Sequence, residues 1–230
     1  MKILGIIPAR GGSKGIPGKN IIDVSGKPLI AYSIEPAAEL LASGIIDQLI
    51  VSTDSREIAD LALEYGAEVP FLRPESISGD KARSIEFIQH AIEFYEASGH
   101  YFDAILLLQP TSPLRSADDI RKAIEMFSRS DNDSLISGYK EEYINDLVLY
   151  RLSGDGETSV PLNEMHNKGV RRQDHGSLYV RNGCIYITSI DTIRKGFVIG
   201  EQPLIYVMDK NKSVNIDTLD DLELLRKLMA

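Results

Sequence analysis

The chain has 230 residues, 43% of them hydrophobic, enough for one sizeable α/β core or a core with a small appended element. A formal charge of −9 and a pI near 5.0 argue against a general nucleic-acid binder, a role that usually carries a basic surface or stripe. A single cysteine, Cys184, leaves no internal disulfide framework, and no N-terminal apolar stretch has the length of a signal peptide or membrane span, so a cytoplasmic protein with no membrane partner is expected.

In chain order, residues 3–7 form an apolar, β-branched run that reads as a buried strand. It leads into residues 8–20, which combine four glycines with Arg10, Lys14 and Lys19 and contain no acid. Glycine lets backbone N–H groups approach a ligand closely, and the cations can neutralise phosphate charge, so the loop suits a polyphosphate. A Walker A loop would need glycine at Ser13 and Ser or Thr at Asn20; a dinucleotide fingerprint fails for want of an opening Gly-x-Gly and because Pro17 interrupts the following helix. A basic surface turn is the competing reading.

Leu29, Ile30, Ser33, Ile34, Ala37 and Leu41 then line one helix face, and residues 49–52 read as a second strand. Ile58, Ala59, Ala62 and Leu63 line the next helix. A predicted strand precedes Leu72-Arg73-Pro74, and the stretch from Gly79 to Ser84 leads into a helix beginning near Lys81, with Ile85, Ile88, Ile92 and Tyr95 inward. That helix start and the Arg73 guanidinium could hold a pyrimidine edge or a phosphate; a solvated basic patch would look the same.

Residues 104–108 form a third strand, and Gln109 to Arg115 follow it directly, at the end of the sheet where ligands of open α/β folds bind. Ser116 suits the N-cap of a helix carrying Ile120, Ala123, Ile124 and Phe127. From Tyr139 to about Asn182 the rhythm breaks into short strand-like pieces and polar turns, an inserted β-rich arm whose Leu147, Leu149, Tyr150, Met165 and Tyr179 could pack on the parent sheet or on a second subunit. Arg171, Arg172 and Arg181 on this arm suit a carboxylate held in fork geometry. A fourth strand spans residues 204–208, and Asn215 to Asp221 join it to a terminal helix. Asp217 or Thr218 would cap that helix with Asp220 or Asp221 as partner, yet Asp217 also lies where a strand leaves the sheet, as a hard oxygen ligand for Mg²⁺ beside a polyphosphate. Strand and helix alternate throughout, which implies a mostly parallel sheet covered on both faces.

These motifs, spread over almost the whole chain, resemble the acylneuraminate cytidylyltransferases, or CMP-sialic acid synthetases. The resemblance rests on residues 9–15 with Lys19 and Asn20, Ser52-Thr53-Asp54, Leu72-Arg73-Pro74, residues 109–115, Arg172-Gln173, Asn182-Gly183 with Ile185-Tyr186, and Ile216-Asp217-Thr218. It implies an α/β, Rossmann-like (GT-A-like) nucleotidyltransferase fold, a single cytidylyltransferase domain over residues 1–230 with residues 139–182 as a dimerisation and sugar-binding arm, and a homodimer. It implies CMP transfer from CTP to a nine-carbon 2-keto (nonulosonic) sugar acid, with Mg²⁺ as cofactor and pyrophosphate released.

By the same resemblance Arg10, Ser13 and Lys19 hold the triphosphate, alongside Gly11 and Gly12, with Lys19 placed to stabilise the α-phosphorus. Asn20, Arg73, Ala82 and Ser84 match positions that read ribose and cytosine, Gln109 the glutamine that contacts the sugar, Arg172 an arginine at the sugar-acid end, and Asp217 a magnesium-binding aspartate. Asn215 stands where many sialic acid enzymes carry a second aspartate, and its carbonyl oxygen can still ligate, weakly or through water. Where those enzymes show Arg-Pro-Asn-Gly this chain has Val180-Arg181-Asn182-Gly183, and on a strand the displaced arginine would point to the other face. Lys81 and Arg83 likewise replace small or hydroxylated residues, so a bacterial acceptor such as legionaminic or pseudaminic acid fits. The alternatives are another sugar nucleotidyltransferase, such as a CMP-Kdo synthetase, and a non-catalytic CTP-binding regulator.

Overall fold

The apolar run at the start of the chain becomes β1 (Ile3–Pro8), an interior strand of a six-stranded sheet in a computed structural model that describes residues 1–13, 15–169 and 176–229. After the glycine-rich loop come a two-stranded ribbon, β2 (Asp23–Val24) and β3 (Lys27–Pro28), then α1 (Ala31–Ala42), β4 (Gln48–Ser52), α2 (Arg56–Glu64), α3 (Ser84–Ala97), β5 (Ala104–Leu107) and α4 (Ala117–Ser128). Next stand β6 (Ser134–Glu141), a hairpin of β7 (Tyr150–Leu152) and β8 (Ser159–Pro161), β9 (Leu178–Ser189), α5 (Ile190–Arg194), β10 (Leu204–Val207) and α6 (Leu219–Met229). The large sheet has the order β10-β6-β9-β5-β1-β4. β9 runs antiparallel to both neighbours and the other pairs are parallel. Among the described residues no helix is long and apolar enough to cross a membrane.

Alternation along the central strands divides the core between the two faces. Ile3 and Ile7 of β1, Leu49 and Val51 of β4 and Leu106 of β5 meet α1, α2 and α4 on one side. Leu4, Ile6, Ile50, Ile105 and Leu107 meet α3 and α5 on the other. A third cluster joins Ile16 of the glycine-rich loop, Val24, Leu29, Ile216, Leu222 and Leu225. It fixes the loop after β1 against the segment leading into α6, two stretches about 200 residues apart in sequence, and so brings Lys19 to Asp217.

Several expectations need correction. Leu63 is 58% exposed, because Ala59 is already at the margin of the narrow α2 stripe and the residue one turn further on projects to solvent. Residues 68–72 form no regular strand; they run along the β4 edge through two isolated bridges, Ile50 to Glu68 and Thr53 to Leu72. α3 begins at Ser84 and not near Lys81, since Arg83 is still extended and its backbone N–H donates to Glu86 Oε2 at 2.9 Å. β6 and the long β9 carried too weak a pattern to be read as members of the main sheet. The polar chain between them includes the β7–β8 hairpin, on which Leu149, Tyr150 and Met165 are exposed whereas Leu147 is buried. Arg171, Arg172, Gln173 and Lys14 lie outside the described residues.

Candidate active site

The carboxyl ends of β1 and β5 open into a cleft of about 670 Å³, within the range of small-ligand sites. Its walls bring together Arg10, Ser13, Lys19, Asn20, Arg73 and Ala82 with Gln109, Asn215 and Asp217. These are most of the residues singled out in the sequence, drawn from five separate stretches.

The glycine-rich loop is held by its own side chains. Asn20, almost fully buried, donates through Nδ2 to the Arg10 carbonyl at 3.0 Å, closing the loop on itself. The Gly11 N–H donates to Asp54 Oδ1 at 2.8 Å, so Asp54 moors the loop to the end of β4 and that amide is committed to protein. Gly15 passes so close to the Asp217 carbonyl that a Cβ there would collide with it, which explains glycine at this position. Gly11 and Gly12 do not line the cleft, and neither does Ser84, which is exposed at the first turn of α3.

Lys19 reaches across to the far wall. Its Nζ donates to the Ile216 carbonyl at 2.7 Å and lies 3.1 Å from Asp217 Oδ1. The competition over Asp217 is resolved by its neighbours. Thr218 caps α6, with its Oγ1 accepting from the Asp221 N–H at 3.2 Å and Asp221 Oδ2 accepting from the Thr218 N–H at 2.7 Å. The Asp217 carboxylate is thereby left to face the cleft, where Asn215 Nδ2 donates to its other oxygen. Asp217 is not at a strand exit, for β10 ends at Val207; the segment is placed by the buried Ile216, whose N–H donates to the Thr111 carbonyl at 2.8 Å.

Arg73 forms the opposite wall. Its guanidinium lies 4.6 Å from the Phe87 ring centroid, and it donates to Ser52 through Nε to Oγ at 3.1 Å and through its terminal nitrogen to the carbonyl. Burial pulls its pKa down to about 10, with Asp54 opposing and Arg10 adding to the shift, so it stays cationic at neutral pH. Arg10 pairs with Asp80 at 2.8 Å across the mouth of the cleft. Neither Phe87 nor Asp80 was picked out from sequence; Asp80, in a Gly-Asp turn ahead of a helix, was the more visible of the two.

Arg115, buried to 3%, shapes the loop after β5. One terminal nitrogen donates to the carbonyls of Gln109, Ser112 and Cys184 and the other to Ser33. Gln109 is thus presented by a braced turn, and its Oε1 would lie 3.1 Å from a Cβ at Gly183, which adopts φ +77°.

Val180 and Arg181 pair with Tyr139 and Gly138 in regular register, so the one-position displacement turns Arg181 to the opposite face from Val180, as expected; an irregularity between β6 and β9 follows directly after it. Ile136 pairs with Tyr186 but Gly138 pairs with Arg181, so residues 182–185 stand opposite Ser137 alone. Asn182 holds this bulge: its Oδ1 accepts from Ser137 Oγ at 2.6 Å and the Cys184 N–H at 3.1 Å, and its Nδ2 donates to Ser213 Oγ at 2.9 Å. The bulge resets the alternation, and Arg181 lines a second cavity that shares Gln109 and Asn215 with the first.

The cytidylyltransferase family profile matches residues 4–230. Pseudaminic acid cytidylyltransferase of Campylobacter jejuni subsp. jejuni serotype O:2 is 39% identical over 229 residues, covering 99% of this chain and 96% of that protein. CMP-N,N'-diacetyllegionaminic acid synthase of Legionella pneumophila is 35% identical over 234 residues, covering 100% and 97%. Among solved structures, CMP:2-keto-3-deoxy-manno-octonic acid synthetase complexed with CTP shares the fold, with a TM-score of 0.71 at 16% identity over 100% of this chain and 98% of that one. A family match over nearly the whole chain, two relatives above 30% identity and a cation-lined cleft at the end of a mostly parallel sheet place the chain in the cytidylyltransferase family, as a nucleotidyltransferase enzyme.

Proposed function

We propose that the protein transfers CMP from CTP to the anomeric hydroxyl of a nine-carbon 2-keto sugar acid, of the class named in its pseudaminic and legionaminic relatives. The observation that carries the reading is the convergence of Arg10, Lys19 and Arg73 on one cleft with Asp217 on its far wall. In the reaction the C2 hydroxyl oxygen forms a bond to the α-phosphorus. The bond from that phosphorus to the bridging oxygen breaks, pyrophosphate departs with the electron pair, and the hydroxyl proton passes to water. Little covalent work falls to the protein; positioning and charge neutralisation supply the rate.

Arg10, Ser13 and Lys19 are assigned to the triphosphate. Arg73 and Ala82, on the wall opposite, are assigned to the nucleoside, with Asn20 supporting the loop. Gln109 and Arg172 are assigned to the sugar acid. Mg²⁺ is the proposed cofactor. Among the described residues no cluster of three His, Cys, Asp or Glu side chains forms a metal cage, but one outward-facing carboxylate beside a triphosphate fits Mg²⁺, which is commonly held by one or two carboxylates plus phosphate oxygens. Asp217 would hold it, with Asn215 orienting that carboxylate through its amide N–H. Once bound, the ion would neutralise charge on the phosphates. A cytoplasmic homodimer is proposed, joined through the arm at residues 139–182, where Tyr143 and Leu152 are 75% and 69% exposed.

The test is pyrophosphate release with each of the four nucleoside triphosphates, Mg²⁺, and separately pseudaminic, legionaminic and sialic acids, with 2-keto-3-deoxy-manno-octonic acid as control. Turnover with CTP and one nine-carbon acid is expected. CTP binding without turnover on any acid would refute the reading in favour of a nucleotide-binding regulator.

A further inference from the structure

The second cavity, about 360 Å³, continues from the nucleotide cleft past Gln109 and Asn215 and is walled beyond them by Tyr139, Arg181, Gly183 and Tyr186. Among the described residues, Arg181 is the one charged side chain lining it. The other cleft arginines and Lys19 are already engaged by protein groups: Arg10 by Asp80, Lys19 by Ile216 and Asp217, Arg73 by Ser52. Arg181 has no ion pair among the described residues; its guanidinium carbon sits 5.9 Å from the Tyr186 ring centroid, within cation–π reach. The bulge at residues 182–185 is what brings it there.

We propose that Arg181 binds the C1 carboxylate of the acceptor through a two-pronged guanidinium–carboxylate pair and thereby aims the C2 hydroxyl at the α-phosphorus. The inference rests on the reading of the acceptor as a 2-keto sugar acid. In such an acid the carboxylate carbon is bonded directly to the carbon that bears the attacking hydroxyl, so a group anchoring the carboxylate fixes the nucleophile to within one bond. Arg181 and Gln109 share the wall next to the nucleotide cleft, where that anchor is required. An arginine fork matches a planar carboxylate and no neutral sugar substituent equally well.

The experiment compares the best acceptor with its C1 amide, in which the charge is gone and the attacking hydroxyl remains, for wild type, Arg181→Gln and Arg181→Lys. kcat/KM is read for each pair, with CTP affinity by calorimetry and thermal unfolding as checks of the folded site. Wild type is expected to favour the acid about 10- to 100-fold, the worth of a hydrogen-bonded pair with a charged group. In Arg181→Gln the preference should fall to within about threefold with CTP affinity unchanged, and Arg181→Lys, which keeps the charge but not the fork, should lie between. A folded, CTP-binding Arg181→Gln that keeps the wild-type preference for the acid would overturn the proposal while leaving cytidylyl transfer standing. Failure of the wild type to turn over any acid would instead bring down the functional reading, and this proposal with it.

Discussion

Replacing Lys19 with Met removes the ammonium while keeping most of the stem of a side chain that is 14% exposed. Two protein contacts go with it: the 2.7 Å bond to the Ile216 carbonyl and the 3.1 Å pair with Asp217. Asp217 is 64% exposed, so the pair is worth at most about 1 kcal/mol, and the carbonyl left behind costs a further 1 kcal/mol or so. For a domain of this size 2 kcal/mol lowers the Tm by roughly 4–8 °C, and the variant should fold. Catalysis should suffer far more. A charge-stabilising donor aimed at the phosphate undergoing attack is worth about 10²–10³ in turnover, or about 2.7–4 kcal/mol of barrier. Steady-state pyrophosphate release at saturating CTP and acceptor should therefore show kcat falling by that factor, with KM for CTP rising several-fold. A folded Lys19→Met protein with kcat within about fivefold of wild type would remove Lys19 from the chemistry and leave it as a strut between the two loops.

Asp80→Asn deletes the carboxylate that pairs with Arg10 at the mouth of the cleft; both side chains are substantially exposed, so a Coulomb effect of about 1 kcal/mol is expected, and CTP should bind roughly fivefold tighter by calorimetry. Weaker binding would mean that Asp80 holds Arg10 in its working position. Gly15→Ala should lower thermal stability by about 1–3 kcal/mol through collision with the Asp217 carbonyl, whereas Gly12→Ala, with open space around its Cβ, should leave the Tm within a degree or two; equal effects would remove the steric argument. Glu141 accepts from the N–H groups of Tyr143 and Ile144 and from Lys210, contacts that hold its pKa at about 2, well below the ordinary 4.5. A depressed carboxylate contributes stability above its unfolded value and loses it as pH falls toward the folded one, so the protection factors of those two amides, their exchange rates corrected for the intrinsic rate at each pH, should fall between about pH 4.5 and 2 and be flat from about pH 5 to 7. Protection factors that stay flat through the acid range would disconnect Glu141 from the base of the arm.

The parts of this molecule that were legible in its sequence are those governed by local chemistry. The acid-free, cation-bearing composition of residues 8–20 reads as suited to an anion and its Arg10, Ser13 and Lys19 do line the cleft, and Ser116 reads as a cap because its partner Asp119 is three residues away. The roles of Asp217 and Thr218 could be narrowed but not separated, since both are chemically able to cap α6. Only the placement of Ile216 beneath them, bonded to Thr111 from a distant loop, turns one toward the helix and the other toward the cleft.

On the acceptor side the sequence could name Gln109, Arg172 and Arg181 but not how Arg181 is held, for the same reason in stronger form. Alternation between Val180 and Arg181 holds because both pair with β6, but it does not tell how they are set relative to Tyr186, since the ladder breaks in between. The break is enforced by Asn182 and Ser137, 45 residues apart, through hydrogen bonds that no periodicity records. It carries a cost that the fold accepts: the bulge takes Cys184 and Ile185 out of pairing, and their N–H groups are recovered by Asn182 Oδ1 and by Ser137 Oγ at 2.8 Å. A buried network of this kind persists when all its members are satisfied, and these are. The lining of the larger cleft is therefore written in residue types along the chain, whereas that of the second cavity depends on a register break held by buried side chains. A change at Ser137, remote from either substrate in sequence, should re-aim Arg181 without altering a single residue that lines the nucleotide cleft.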